Sequence, residues 1–415
     1  EAYGKHYTVA FPHEEYESGR PRLTSPLYER LKAHGAVFGS KLGWERPNWF
    51  APEGTEGRDV YSMGRQNWFD SVGAEHAHVR EAVGIFDQSS FAKYEVTGPD
   101  ALKVLDHICA NDVTKPVGRL TYTQLLNTRG GIEADLTVAR LGEDRFYIVT
   151  GTGFRTHDFG WIADHVPAGV KVEMADVTED WGTLSLMGPK ARDVLAAVTA
   201  ADVSNVAFPF GHAREITIAG SVVRALRITY VGELGWELHV PIGAIGEVFD
   251  ALMAAGEPFG VKPVGYRALE SLRLEKGYRA WGSDITPNDT PLEAGLGFAV
   301  KLRRNADFLG RSALQAVAGQ PLKKRLTGFT AGPDVVLLGR ETILRNGEPV
   351  GYLTSGGYGY TLGKAIGYGY VRNAEGVSDD YLTSGSYELV VAMEKVPAEI
   401  HLRPMFDPGM ERIKA

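Results

Sequence analysis

Tyr94-Glu-Val-Thr-Gly98-Pro-Asp-Ala-Leu-Lys-Val-Leu105 and Leu184-Ser-Leu-Met-Gly188-Pro-Lys-Ala-Arg-Asp-Val-Leu195 read as the same unit. Each is a short strand, a Gly-Pro turn and a helix with apolar residues on one face. A second pair, Gly142-Glu-Asp-Arg-Phe-Tyr-Ile-Val149 and Gly232-Glu-Leu-Gly-Trp-Glu-Leu-His-Val240, keeps the register, since 188 − 98 = 90 and 232 − 142 = 90. Each copy then runs into an amphipathic helix, around His157-Asp-Phe-Gly-Trp-Ile-Ala and Ile245-Gly-Glu-Val-Phe-Asp-Ala-Leu. Two matched pairs in one register predict a duplicated α+β unit within residues 65–322, with copies at about 86–170 and 176–260.

From Lys323 onward the pattern changes. Asn346-Gly347 sits between apolar runs as a hairpin turn, and short alternating strands follow, such as Ala365-Ile-Gly-Tyr-Gly-Tyr-Val and Tyr387-Glu-Leu-Val-Val-Ala-Met. Residues 323–415 therefore read as a small β-barrel or jelly roll, with Ser355-Gly-Gly-Tyr-Gly-Tyr as a packed loop. Residues 1–64 are rich in aromatics, Pro and Gly, with one short helical stretch at Pro26-Leu-Tyr-Glu-Arg-Leu-Lys. They read as an irregular arm that packs on something else, and the aromatics of Gly43-Trp-Glu-Arg-Pro-Asn-Trp-Phe50 would make an interaction surface if exposed.

Composition narrows the function classes. The 415 residues carry 44 basic and 52 acidic side chains, a formal charge of -8, which offers no basic face to nucleic acid. No apolar run approaches the roughly 20 residues that span a bilayer, so no membrane segment is expected. Cys109 stands alone, which fits a reducing compartment: cytoplasm, or mitochondrial matrix in a eukaryote. Gly151-Thr-Gly153-Phe-Arg-Thr156 ends in Thr where a dinucleotide fingerprint needs Gly, and neither a Walker loop nor a Gly-x-Ser-x-Gly elbow is present. His76 and His78 point to different faces of a helix, so no metal site is expected. The chemistry is left to dispersed side chains or a bound cofactor.

Chemical differences between the copies mark candidates. Asp135 follows the Gly130-Gly131 turn, and at the 90-residue offset the second copy has Ala225. In Tyr230-Val-Gly-Glu-Leu-Gly-Trp-Glu237-Leu-His239-Val, strand alternation sets Trp236, Leu238 and Val240 on one face and Glu237 and His239 on the other. The first copy has Tyr147 at the position of Glu237. Such a carboxylate either stands in water or accepts two parallel hydrogen bonds from a flat heterocycle. Arg267, on a helix ended by Gly277, either pairs with Glu270 on the surface or serves an anion.

The run Ile85-Phe-Asp-Gln-Ser-Ser, the Asn111-Asp-Val stretch, Leu126-Asn…Gly-Gly-Ile…Asp135-Leu, Tyr230-Val-Gly-Glu-Leu-Gly-Trp-Glu237, Arg267…Arg273-Leu-Glu-Lys-Gly and Trp281-Gly-Ser-Asp284-Ile resembles the folate-binding aminomethyltransferase, or T-protein, family over about residues 75–410. Tyr3-Gly-Lys-His-Tyr-Thr-Val-Ala-Phe, the Gly43–Phe50 stretch, Asp307-Phe-Leu-Gly-Arg-Ser-Ala-Leu and Thr354-Ser-Gly-Gly-Tyr-Gly-Tyr-Thr-Leu-Gly-Lys are similar to the C-terminal half of dimethylglycine and sarcosine dehydrogenases and oxidases. The resemblance implies a three-lobed α+β cloverleaf, two related lobes plus a C-terminal barrel, with tetrahydrofolate at its centre.

By the same resemblance, Glu237 accepts the pterin edge, Tyr230 packs on or bonds the cofactor, and Arg267 lies near the folate. Asp135 handles the proton on the folate amine, although many T-proteins have two acids where this chain has Ala134-Asp135. The implied activity is capture of an iminium or formaldehyde carbon from a methylated amine as 5,10-methylenetetrahydrofolate. FAD would belong to an N-terminal domain or partner subunit outside these 415 residues, with the aromatic arm as its docking surface. Two alternatives keep the fold: methyl transfer from a sulfonium or aryl ether, and a non-catalytic folate-binding or formaldehyde-channelling subunit.

Overall fold

The structure is a computed structural model describing residues 1–304 and 306–415. The chain divides into two compact units. The first comprises Glu1–Ala92, Val177–Leu272 and Gly409–Ala415, and the second Lys93–Asp176 and Arg273–Pro408.

The duplication is plain in the element order. The first copy runs strand Ala92–Thr97, helix Ala101–Ile108, strands Leu120–Leu126, Ile132–Arg140 and Arg145–Thr150, a 3₁₀ turn, helix Arg155–Asp164 and strand Glu173–Asp176. The second repeats it as strand Trp181–Met187, helix Ala191–Val198, strands Ala213–Ile218, Ser221–Leu226 and Gly235–Pro241, a 3₁₀ turn, helix Ile245–Gly256 and, after another 3₁₀ turn, strand Val261–Pro263. Strand Val83–Asp87 is inserted into the sheet of the second copy, between Trp181–Met187 and Val261–Pro263.

The paired helices bury matching positions, Ala101, Val104 and Leu105 in one and Ala191, Val194 and Leu195 in the other. Both turns need glycine for the same two reasons. Gly98 has φ 120° and Gly188 φ 138°, where a side chain is strained. A Cβ would also collide with a backbone carbonyl, that of Lys171 at Gly98 and that of Ala82 at Gly188.

Register corrects one sequence correspondence. In the first sheet Ala139 pairs with Tyr147, whereas in the second Leu226 pairs with Glu237. Tyr147 and Glu237 correspond, so Leu226 answers to Ala139 and Val222, four positions back, answers to Asp135. Ala225 instead faces the core of its unit. The cause is the connection before the strand: residues 141–144 in the first copy, 227–234 in the second. Val222 is exposed, so the fold does not require a carboxylate here.

Residues 324–401 form a closed six-stranded barrel. Asn346 and Gly347, with φ 52° and 87°, make the hairpin turn between Thr342–Arg345 and Glu348–Gly359. Ser355-Gly-Gly-Tyr-Gly is not a loop: it lies inside strand Glu348–Gly359. There Gly356 pairs with Gly367 and the backbones of Gly339 and Leu338 approach too closely for a Cβ.

Residues 1–64 are not irregular throughout. Helix Tyr28–Ala33 and the hairpin of Ala36–Lys41 and Trp44–Phe50 pack on the first unit, with Leu27 and Leu31 in its core and Trp49 buried. Tyr3, Tyr7, Val9 and Tyr16 remain exposed. Among the described residues no helix is long and apolar enough to cross a membrane, and no group of three or more His, Cys, Asp or Glu is arranged to hold a metal. His76 and His78 are engaged elsewhere, with Ser271 Oγ and the Gly260 carbonyl.

Candidate functional site

On strand Gly235–Pro241 the expected alternation holds. Trp236, Leu238 and Val240 enter the core of the first unit, packed with Leu184, Leu186 and Ala225. Glu237 and His239 take the other face. That face is not open water: the Glu237 side chain is 17% exposed and that of His239 0%. Glu237 pairs across the sheet with Ser185 and Leu226, and His239 with Thr183 and Arg224. His239 Nε2 lies 3.7 Å from Glu237 Oε2, and Thr183 Oγ1 lies 3.2 Å from His239 Nδ1. Ser185 donates in turn to Gln88.

Tyr230 is half-buried in the bend that leads into this strand. A buried ion cluster holds the bend in place. Glu233 receives Arg80 Nη1 at 2.9 Å and Arg412 Nε at 2.7 Å, while Arg80 Nη1 also donates to the Val231 carbonyl at 2.7 Å. Burial raises the Glu233 carboxyl and the two arginines oppose that. Sequence reading passed over Glu233 as one more residue of the Gly-Glu-Leu-Gly run. An acid among so many buried neighbours was the available signal, because buried charge demands a partner.

Arg267 lies in the first turn of helix Tyr266–Lys276. Its guanidinium makes two hydrogen bonds to Asp59, at 2.8 and 2.7 Å, and lies 3.3 Å from the centre of the Trp68 ring. Asp59 also receives Trp49 Nε1 at 2.8 Å. The structure therefore answers the sequence alternatives with a third: Arg267 serves an internal carboxylate from the arm. The helix entrance is clasped by Glu75, whose two oxygens accept the backbone amides of Phe50 and Gly265, each at 2.7 Å. Burial pushes the Glu75 carboxyl up to about 7 against those two bonds and the Arg267 charge.

Asp135 belongs to the second unit. It sits on the sheet face of Tyr147, opposite the core-facing Ala134, Leu136 and Val138. Gln124, its register partner, donates Nε2 at 2.9 Å, and the Tyr122 phenol also bonds it. Burial raises its pKa to about 6, those hydrogen bonds oppose the rise, the Asp158 charge reinforces it and Arg279 lowers it. Asp158 is itself buried, held by Thr150 Oγ1 at 2.6 Å and His157 Nδ1 at 2.9 Å. Trp281 donates Nε1 to the Ile132 carbonyl at 3.0 Å and packs edge-on against Phe154. A carboxyl at about 6 changes charge close to neutrality, as a proton-handling group must.

Residues 27–304 match the GCVT N-terminal domain, and residues 324–407 match the glycine cleavage T-protein C-terminal barrel domain. The chain belongs to the glycine cleavage T-protein family. Over 454 aligned positions it is 39% identical to sarcosine dehydrogenase, mitochondrial, of Mus musculus, covering 100% of this chain and 49% of that protein. It is 39% identical to dimethylglycine dehydrogenase, mitochondrial, of Homo sapiens over 374 positions, 89% of this chain and 43% of that one. The chain thus spans about half the length of the curated relatives it matches. Among solved structures, the glycine cleavage system aminomethyltransferase T of Bartonella henselae superposes with a TM-score of 0.78 at 29% identity, over 93% of this T-protein-family chain and 99% of that one.

Proposed function

We propose that this chain binds tetrahydrofolate and takes up a one-carbon unit in the oxidative N-demethylation of a methylated amine of the sarcosine or dimethylglycine type. The observation that carries the reading is Glu237. It is a sheltered carboxylate on a sheet face, at a position where the first copy has Tyr147, so the fold has no need of it. A carboxylate is an acceptor-only group with two oxygens, and a reduced pterin presents a ring N–H and an exocyclic amino group along one edge. The residue type fits the ligand.

When bound, tetrahydrofolate supplies the nucleophilic amine that accepts the carbon, leaving as 5,10-methylenetetrahydrofolate. Glu237 orients the pterin by accepting its two donors. Tyr230, fixed by the Glu233 cluster, packs on the ring or bonds it. Asp135, while it is a carboxylate, stabilises positive charge on the one-carbon unit and on the attacking amine, and it then takes the proton that the amine gives up. Arg267 meets a ligand carboxylate only by sharing or releasing Asp59. The oxidation itself belongs to a flavin-bearing domain or partner subunit. Tyr3, Tyr7, Val9 and Tyr16 supply an exposed apolar stretch for docking it.

Calorimetric titration with tetrahydrofolate, run beside Glu237→Ala, tests the reading. Micromolar binding that the substitution weakens by about tenfold supports it. A folded wild-type chain that does not bind tetrahydrofolate overturns it. Product analysis then separates 5,10-methylenetetrahydrofolate from the 5-methyl product of a sulfonium or aryl-ether donor.

A further inference from the structure

Glu237 does not stand alone on its strand. His239, two positions on and on the same face, turns Nε2 toward Glu237 Oε2 at 3.7 Å, and its ring is wholly buried. The opposite ring nitrogen, Nδ1, is 3.2 Å from Thr183 Oγ1 on the neighbouring strand. On the other side, the residue paired with His239 is Arg224, whose guanidinium lies 3.8 Å from the centre of the Trp181 ring. Glu237 and Arg224 are thus the charged groups that the adjoining strand positions set around the imidazole.

This arrangement selects a tautomer. A neutral imidazole has one donor and one acceptor nitrogen, and a hydrogen bond to one nitrogen decides which is which. A bare Nε2 lone pair facing a carboxylate is repulsive, and Arg224 is a cation that accepts nothing. The Thr183 hydroxyl can donate to Nδ1, which favours the ring proton on Nε2, the side that faces Glu237.

The two residues also come as a pair. At the 90-residue offset the first copy has Tyr147 for Glu237 and Val149 for His239, so neither the carboxylate nor the imidazole is demanded by the sheet. A carboxylate has about four acceptor positions, enough for one imidazole N–H and two ligand donors together.

We infer that His239 is a positioning residue for Glu237: Thr183 holds the ring, and the Nε2–H, 3.7 Å from Oε2 and so beyond hydrogen-bond length, steers the carboxylate electrostatically toward the rotamer that receives the two donors of a pterin edge. The inference rests on the folate reading for its ligand, while the Glu237–His239 pairing can be tested without one.

Nitrogen-15 NMR of the ligand-free chain reads the tautomer directly, with the His239 signal assigned by its loss in His239→Gln. The expected result is Nε2-protonated imidazole whose shift moves in Glu237→Gln and in Thr183→Val. An Nδ1-protonated ring, or one indifferent to Glu237, overturns the inference. Tetrahydrofolate titration supplies the second arm. His239→Gln keeps an N–H near the Nε2 position and should stay within about threefold of wild type, whereas His239→Asn reaches only Thr183 and should weaken binding by about tenfold. In a Glu237→Ala background His239→Asn should cost nothing more, because the group it positions is gone. Equal losses in both backgrounds mean a general structural role and overturn the proposal. A wild-type chain with the expected tautomer and no folate affinity refutes the folate reading and leaves the pairing standing.

Discussion

Arg267 and Asp59 are joined by two hydrogen bonds of 2.8 and 2.7 Å across 208 positions of sequence. Both side chains are largely buried, at 14% and 12% exposure. Removing one member of such a pair leaves the other desolvated without its counter-ion. Asp59→Asn is expected to destabilise the chain by about 2 kcal/mol, read as a lower urea midpoint at constant slope. Arg267→Lys should also lose stability, since an ammonium cannot reproduce the planar fork or its stacking on Trp68. An unchanged midpoint in both variants would mean that the pair contributes nothing.

Burial pushes the Asp135 carboxyl up to about 6, so its proton-accepting form dominates above that pH. Folate-dependent uptake of the one-carbon unit should rise as pH increases from 5 to 7 and then level off. In Asp135→Asn the Gln124 bond can persist, because the amide oxygen still accepts Nε2. Tetrahydrofolate affinity should therefore survive while turnover falls by about 10²-fold or more and its rise with pH disappears. Unchanged turnover would favour a folate-binding subunit without chemistry of its own.

Glu75 should make stability depend on pH. Its pKa is raised from 4.5 to about 7 on folding, so the native state binds this proton more tightly than the unfolded chain. Between those values the folded form carries the greater proton load, and stability falls as pH rises through the window. Urea unfolding at pH 5 and pH 7.5 should show that decline in the wild type and a shallower one in Glu75→Gln. A decline of equal steepness in the variant would assign the dependence to other groups.

The two turn glycines offer a direct comparison of the copies. Gly98→Ala and Gly188→Ala each place a Cβ against a backbone carbonyl at positive φ. Each should destabilise by at least about 1 kcal/mol in thermal or urea unfolding, and by similar amounts, because each glycine does the same task in its own unit. A neutral result at one site only would separate the roles of the two turns.

Much of this architecture is legible in the sequence. The Gly-Pro turns, the Asn346-Gly347 hairpin and the alternation around Trp236 are local signals, set by φ preferences and by the two-residue period of a strand. The Ser355 glycine run, with hydrophobic strands on both sides, reads in sequence as a packed loop. In the barrel it is a strand paired with residues 364–368, and glycine is needed at Gly356 because the backbones of Gly339 and Leu338 leave no room for a Cβ. The hairpin of the arm was hidden because Pro47 interrupts its second strand, opposite a register shift between Val37 and Phe38.

The sequence by itself determined that the chain is a duplicated α+β unit followed by a barrel, that Trp236 points into a core, and that Glu237 and Asp135 are carboxylates the repeat does not need. Tertiary structure alone decided that Val222, not Ala225, stands where Asp135 does, because connections of unequal length slide one strand against its neighbours. It alone decided that Arg267 is bound to Asp59 and that a buried His239 attends Glu237. A periodic pattern fixes which side of an element a residue faces. What it meets there depends on residues far along the chain, brought close only when the surrounding cores pack.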